Sequence, residues 1–421
     1  NAGSPAITIP FSHIGSVRND HPVHMSEKAP IPAHILPVIV FAQFAGTSLW
    51  FAGNAVVVDL QQAFGLASRA VGDLTSAVQL GFIAGTFAFA LLSISDRFSP
   101  SRVFLVSALA GAGANACIFL LAGGQTDLLL LRFATGFFLA GIYPVGMKIS
   151  ADWYGKGLGK ALGYLVGALV AGTAFPHLLK AFATTLPWKT VLLTISTLAA
   201  LGGILLFLTV PDGPYRKPAP RFEWNAIPKI FGYPEFRSAA FGYFGHMWEL
   251  YAFWAFIPVM LTAYQNRHGI TLETPFWSFA IIAAGSVGCI AGGYRSMKIG
   301  SPKVAFYMLA GSGLCCLLSP LIFQLPVWAF LPVMIVWGFA VVGDSPQFSS
   351  VVARTAPPAY VGTALTFVYC IGFGITVFSI QLLTGMNRML PPEWLLLLLA
   401  PGPLLGLYFL YKQAMPRAGQ A

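Results

Sequence analysis

The sequence predicts an all-α membrane protein, with twelve transmembrane helices in two pseudo-symmetric six-helix bundles. Three observations predict it. The first is composition: 57% of the 421 residues are hydrophobic and 9% are charged, with a mean hydropathy of +0.73. A water-covered surface needs roughly 25% charged residues, so most of this surface faces lipid. The second is a series of apolar runs long enough for a bilayer core of about 30 Å, which takes about 20 helical residues. The third is an internal repeat that maps the second half of the chain onto the first.

The apolar runs fall at 34–57, 73–95, 103–122, 127–150, 159–182 and 189–210 (spans 1 to 6). A second set lies at 237–261, 276–294, 304–323, 327–352, 361–384 and 393–411 (spans 7 to 12). Between the sets runs the longest polar connection, Pro211 to Glu235, with Arg216, Lys217, Arg221 and Lys229. The organisation expected is a disordered cytoplasmic tail (1–30), a first bundle (31–212), a cytoplasmic linker (213–235), a second bundle (236–413) and a short cytoplasmic tail (414–421). Residues 1–30 are polar and lack the apolar stretch of a signal peptide.

The net charge of +10 is a matter of topology. With the N-terminus inside, all the lysines and arginines except Arg69, Arg132, Lys180, Lys189, Arg267 and Arg388 collect on the cytoplasmic side, as the positive-inside rule requires. The expectation is a multi-pass protein of the cell's inner membrane with both termini cytoplasmic and no nucleic-acid partner. The five cysteines all lie in apolar runs without a CxxC pair, which argues for buried small hydrophobes and against a disulfide framework or zinc site. No HExxH or GxSxG motif points to an enzyme.

The repeat has a shift of about 202 residues. Gly141-Ile-Tyr143-Pro144 of span 4 aligns with Gly343-Asp344-Ser-Pro346 of span 10, and Gly136 with Gly338. Gly159-Lys-Ala-Leu162 matches Gly362-Thr-Ala-Leu365, and the loop Asp96–Val103 matches Met297–Val304. Parallel repeats of this kind build a large class of transporters. Small residues recurring every four positions (Gly159, Gly163 and Gly167; Ala284, Gly288 and Gly292; Gly81 and Gly85) predict close helix packing between the halves.

Over residues 31–413 the chain resembles the major facilitator superfamily. Asp96, Arg97 and Arg102 stand as in that family's G-x-x-x-D-R-x-G-R-R loop, with Leu92 and Ser99 at its glycine positions. Arg132-Phe-Ala-Thr-Gly136 is similar to its R-x-x-x-G element, while the Gly-Pro signature of drug/proton antiporters in span 5 is missing. The resemblance implies that spans 1, 4, 7 and 10 line a central cavity and that the protein works as a monomer.

Charges inside a bilayer are costly, about 2.5–3.5 kcal/mol each on insertion scales, so they face partners or a cavity. Arg132, His246, Glu249 and Asp344 sit within spans 4, 7, 7 and 10. Glu249, Asp344 and His246 are the candidate proton-coupling groups, because a carboxyl removed from water gains and loses a proton near neutral pH. The structural alternatives are an ion pair with Arg132 or another base for Glu249, stabilisation of the Pro346 kink for Asp344 and an interhelical hydrogen bond for His246. Arg132 is read either as a bidentate clamp for an anionic solute or as the counter-charge of Glu249 or Asp344. The candidate substrate-binding lining adds Gln43, Thr47, Trp50 and Asn54, one stripe along span 1, with Tyr143, Trp248, Tyr251 and Gln347. Asp96, Arg97 and Lys298 are candidate gate residues. A metal site at His246, Met247 and Glu249 lacks further ligands, and no cofactor is implied. The function expected is a secondary transporter moving a small organic solute, an anion among the options, by alternating access with proton symport. Efflux of amphipathic toxic compounds and a transporter-like sensor are the alternatives.

Overall fold

The computed structural model describes residues 31–154, 158–182, 187–216 and 222–415. The two tails, Lys156, Lys217 and Arg221 lie outside the described residues. From Ala33 onward the chain forms one compact unit, helical throughout the described residues.

Span 1 is broken into α1 (Ile35–Thr47), α2 (Ala52–Ala55) and α3 (Val57–Phe64). Span 2 is α4 (Ala70–Leu91), followed by the short α5 (Ile94–Arg97), and span 3 is α6 (Pro100–Leu121). Span 4 divides into α7 (Gln125–Leu139) and α8 (Tyr143–Trp153); α9 (Leu158–Phe182) and α10 (Trp188–Thr209) are spans 5 and 6. The connection between halves carries α11 (Ala226–Gly232). Then come α12 (Pro234–His268), α13 (Thr274–Ile299) and α14 (Ser301–Ile322). Span 10 divides into α15 (Val327–Gly343) and α16 (Ser345–Thr355), α17 (Val361–Met386) is span 11, and span 12 is α18 (Pro392–Leu395), a 3₁₀ turn and α19 (Pro401–Ala414).

Ten of these spans are long and apolar enough to cross a membrane as continuous stretches. Span 1 drops out because it is broken at residues 48–51. Span 7 drops out because His246 and Glu249 lower the hydropathy of its middle. Together they complete the dozen.

The repeat is visible in the helix breaks. Span 4 opens just before Pro144 and span 10 just before Pro346, and each proline sits in the first turn of the following segment. A proline lacks the N–H that would continue the preceding helix but is well suited to starting one. The packing repeats too. A Cβ on Gly136 would strike the Val78 carbonyl, and one on Gly338 the Ile281 carbonyl. Gly85 lies against the Phe137 carbonyl in the first half, as Gly288 does against that of Phe339 in the second.

These contacts correct part of the packing expectation. Gly163 and Gly167 do face the other half, across α13: a Cβ there would lie 3.5 Å from the Cys289 carbonyl and 3.2 Å from that of Ser286. The stripes on α4 and α13 instead seal each half internally, against α7 and α15. A four-residue period shows that a face is tight, without naming its neighbour. Gly136→Leu is expected to force α4 from α7 and destabilise the protein by about 1–3 kcal/mol or more. Thermal unfolding in detergent measures it, with Gly113→Leu, where a Cβ meets nothing within 4 Å, as control.

The two ends of the helix assembly differ. At the end opposite the Asp96 loop the halves are in contact. Gln381 Nε2 donates to Ser76 Oγ at 2.9 Å, Arg388 Nε to Ser68 Oγ at 3.0 Å, and Gly72 sits directly against Thr384. At the loop end a cavity of about 190 Å³ opens between the halves, lined by Thr86, Ser93, Asp96, Lys148, Phe222 and Thr363 among others.

Candidate functional site

Midway between the ends, both halves converge on a closed central space of about 20 Å³. Tyr143 of α8 and Val166 and Leu169 of α9 come from the first half. Tyr243, Met247, Leu250, Tyr251 and Trp254 of α12, Val342, Ser345, and Tyr369 and Phe373 of α17 come from the second. The α12 residues recur at steps of three and four, so one helix face supplies them all. This volume accommodates no more than a water molecule. A plug closes the space toward the contacting end: Trp50 packs on Phe82, Tyr251 and Phe373 with ring centroids 4.8, 5.5 and 5.7 Å away. Phe51 meets Trp254 edge-on at 6.1 Å.

Tyr143 and Tyr251 are therefore the two sequence-expected binding residues that line the central space, and Trp50 lies beside it. Four further aromatic lining residues escaped the sequence reading. Tyr243 and Trp254 were legible as the continuation of the Tyr251 stripe, at i−8 and i+3. Tyr369 and Phe373 sit on span 11, which the resemblance leaves outside the cavity, and no sequence signal marks them.

The other expected lining residues lie elsewhere. Trp248 turns to α19 and donates from Nε1 to the Leu398 carbonyl at 3.2 Å; it lines a lateral apolar groove with Phe244 and Leu405. On an α-helix Trp248 falls about 60° from Tyr251 on the side away from Met247 and Trp254, which takes it off the cavity face. Thr47 Oγ1 donates to the Gln43 carbonyl at 2.7 Å, beside Gly172 of α9. Gln43 is buried against Gly146, Asn54 Nδ2 donates to Thr75 Oγ1 at 2.7 Å, and Gln347 is buried beside Gly292. Of the span 1 stripe, Gln43, Thr47 and Asn54 thus face their own half, and Trp50 packs on Tyr251 and Phe373 of the other.

Arg132 takes neither expected role. It is fully buried, and its guanidinium fills the break in span 1: Nη1 donates to the Leu49 carbonyl and to Asn115 Oδ1, both at 3.1 Å, and Nη2 donates to the Trp50 carbonyl. No carboxylate among the described residues lies within ion-pair distance of it. An unwound segment in a membrane leaves carbonyls without partners, and five fixed N–H groups on one side chain answer that need.

The three acids and bases of the second half separate into two clusters. His246 Nδ1 lies 2.9 Å from Asp344 Oδ1, both side chains fully buried, though the approach is off the hydrogen-bonding axis. Asp344 stands at the break of span 10, at the N-terminal end of α16, where the helix dipole favours a negative charge. Its neighbours Val342 and Ser345 line the central space. Glu249 points away, into α14: Oε2 accepts from Ser312 Oγ at 2.6 Å and from Cys316 Sγ at 3.4 Å, while Oε1 has no protein partner. It neither shares a face with His246 nor touches Arg132, and among the described residues no group of three metal-ligating side chains assembles.

Of the candidate gate residues, Asp96 lines the cavity at the loop end and pairs with Lys148 of α8. Arg216 from the connection donates to the Phe98 carbonyl at 2.9 Å and pairs with Asp212. Arg97 and Lys298 are exposed. The connection also enters the cleft: Phe222 and Trp224 pack on Phe87 of α4 at 5.7 and 5.2 Å, and the Glu223 N–H donates to Thr363 Oγ1 of α17 at 3.1 Å.

Residues 38–380 match the family model of the Major Facilitator Superfamily. Two solved structures share the fold. One is the human organic anion transporter MFSD10 (TETRAN), 15% identical, with a TM-score of 0.70 over 90% of this chain and 100% of that one. The other is a bacterial homologue of the human lysosomal transporter Spinster, in an inward-facing and unoccupied conformation, 15% identical, with a TM-score of 0.63 over 91% and 95%. No curated protein matches the chain in sequence.

Proposed function

The chain belongs to the Major Facilitator Superfamily, and from that premise we propose that it is a proton-coupled secondary transporter moving a small organic solute by alternating access. Membership makes it a multi-pass integral membrane protein and a transporter, not an enzyme. The observation that carries the finer reading is the buried His246–Asp344 contact directly behind the wall of a central space that both halves build. With one proton between them the pair is neutral overall and, once that proton leaves, singly negative. It therefore binds and releases one proton without separating. Glu249 is the second acid of the set, held back against Ser312. An anionic cargo, which the human neighbour's name states for that protein, needs a cation in the wall, and none of the described lining residues supplies one.

The loop end, where the basic residues gather, faces the cytoplasm in this reading, with both termini on that side of the inner membrane and a monomer as the working unit. The chain then divides functionally into bundles 31–212 and 236–413 about the 213–235 linker. Asp96, with Arg97 and Lys298 around it, works the cytoplasmic gate, and the Trp50 plug the opposite one.

Reconstituted vesicles test the reading. Solute accumulation driven by a pH gradient is expected, its polarity telling symport from exchange; solute binding without accumulation under either polarity would indicate a sensor. Alternating access has its own test at the contacting end. A Cβ on Gly72 would lie 2.9 Å from that of Thr384, so Gly72→Cys with Thr384→Cys can form a disulfide after a small shift. Oxidation is expected to stop uptake by the double variant and reduction to restore it. Uptake unchanged in the fully cross-linked protein would contradict rocking of the halves. Efflux of amphipathic compounds stays the alternative reading, and the susceptibility of cells lacking the protein tests it.

A further inference from the structure

We infer that the central site selects a compact organic cation, held by aromatic faces and not by a charged side chain; the inference rests on the transport reading above and names the class of its cargo. The wall is an aromatic cage. Tyr243 and Tyr369 lie 5.7 Å apart between ring centroids, Tyr251 and Phe373 5.3 Å, and Tyr251 and Trp254 5.2 Å, with Tyr143 opposite on the other half. Ring faces carry the negative part of the aromatic quadrupole and attract cations, most strongly where water is excluded.

The charges around the cage agree in sign. Among the described residues no lysine or arginine lines it. Arg132, the one lysine or arginine buried in the first half's core among the described residues, is committed to the carbonyls of the span 1 break. Behind the second half's wall stand Asp344, in contact with His246, and Glu249, turned toward α14. A carboxylate or phosphate solute would meet ring faces and acids with no counter-charge. A cation meets attraction from the ring faces, and from Asp344 once the pair has released its proton. Trp254 Nε1, buried with no protein partner, leaves one donor for a hydroxyl or carbonyl on the cargo.

The space is small with the halves closed. Because Tyr143 belongs to one half and the remaining rings to the other, separation of the halves widens the cage around an entering solute. Closure then wraps rings about it, which is how an aromatic site excludes the water that would otherwise weaken its grip.

The experiment uses the purified full-length protein and matched probes: choline, its uncharged isostere 3,3-dimethyl-1-butanol and the carboxylate 3,3-dimethylbutanoate, with tetraethylammonium and N-methylpyridinium as further cations. Thermal-unfolding shifts and quenching of tryptophan fluorescence give the affinities. At least one cation is expected to bind about tenfold or more tightly than the uncharged and anionic probes. Tyr251→Leu and Tyr243→Leu are expected to lose that preference, and Tyr251→Phe and Tyr243→Phe to keep it, since the ring face remains. Equal or better binding of the uncharged or anionic isostere, binding of no cation, or equal loss in the Phe and Leu variants would overturn the assignment. Should a Leu variant fail to fold, the charge preference of the unaltered protein still decides. Cation binding without vesicle accumulation would sink the transport reading alone, and gradient-driven uptake confined to anions or neutral solutes would sink the cation assignment alone.

Discussion

Arg132→Leu is expected to leave the first half without a stable span 1, giving little folded protein and a large drop in the unfolding temperature of what remains. The substitution removes every donor from the Leu49 and Trp50 carbonyls and one from Asn115. A buried polar group stripped of its partner costs about 1–3 kcal/mol, so three such losses come to roughly 3–9 kcal/mol, comparable with a whole protein's stability of about 5–15 kcal/mol. Gly53 packs against the same guanidinium, a Cβ there lying 3.2 Å from Nε, so even the slot is shaped for arginine. Arg132→Lys keeps the charge but cannot reach two carbonyls and an amide with one flat fork, and an intermediate loss is expected. Full stability in Arg132→Leu with loss of transport alone would restore the clamp for an anionic solute and overturn the structural role.

Asp344→Asn is expected to abolish uptake driven by a pH gradient while leaving a folded protein in the membrane. Asparagine fills the same space and still meets His246, so the unfolding temperature should move little. It cannot ionise, and the pair loses the step between neutral and singly negative. Gradient-driven accumulation should be lost and any remaining uptake become flat with pH. His246→Gln should share the loss. Glu249→Gln should lose less: its amide oxygen still accepts from Ser312 Oγ, and the side chain points away from the central space. Wild-type gradient dependence in Asp344→Asn would remove the pair from the coupling role, and a greater loss in Glu249→Gln than in Asp344→Asn would move the proton path to the α12–α14 interface.

How much of this was legible beforehand follows from what each feature depends on. Arg132, His246, Glu249 and Asp344 announce themselves because charges are rare in a lipid-crossing stretch. Their partners do not. His246 and Glu249 are three residues apart, and the expectation that they share a site fails because one turns to α16 and the other to α14. Asp344 and its proline were legible as a break through the repeat with Tyr143–Pro144. The break in span 1 was not: it contains no proline or glycine, and it exists because an arginine eighty residues on in the chain satisfies the carbonyls it exposes.

By itself the sequence determined the membrane, the order of the twelve spans, the repeat, and the two proline-marked breaks, since hydrophobic length and proline chemistry act locally and leave a signature in consecutive residues. Only the tertiary structure decided which faces meet: that the α9 glycines join the halves while those of α4 and α13 close each half, that Trp248 leaves the cavity, and that span 11 enters it through Tyr369 and Phe373. Helical periodicity specifies a face of one helix. The neighbour of that face is set by the simultaneous packing of all the others, and no stretch of sequence contains that.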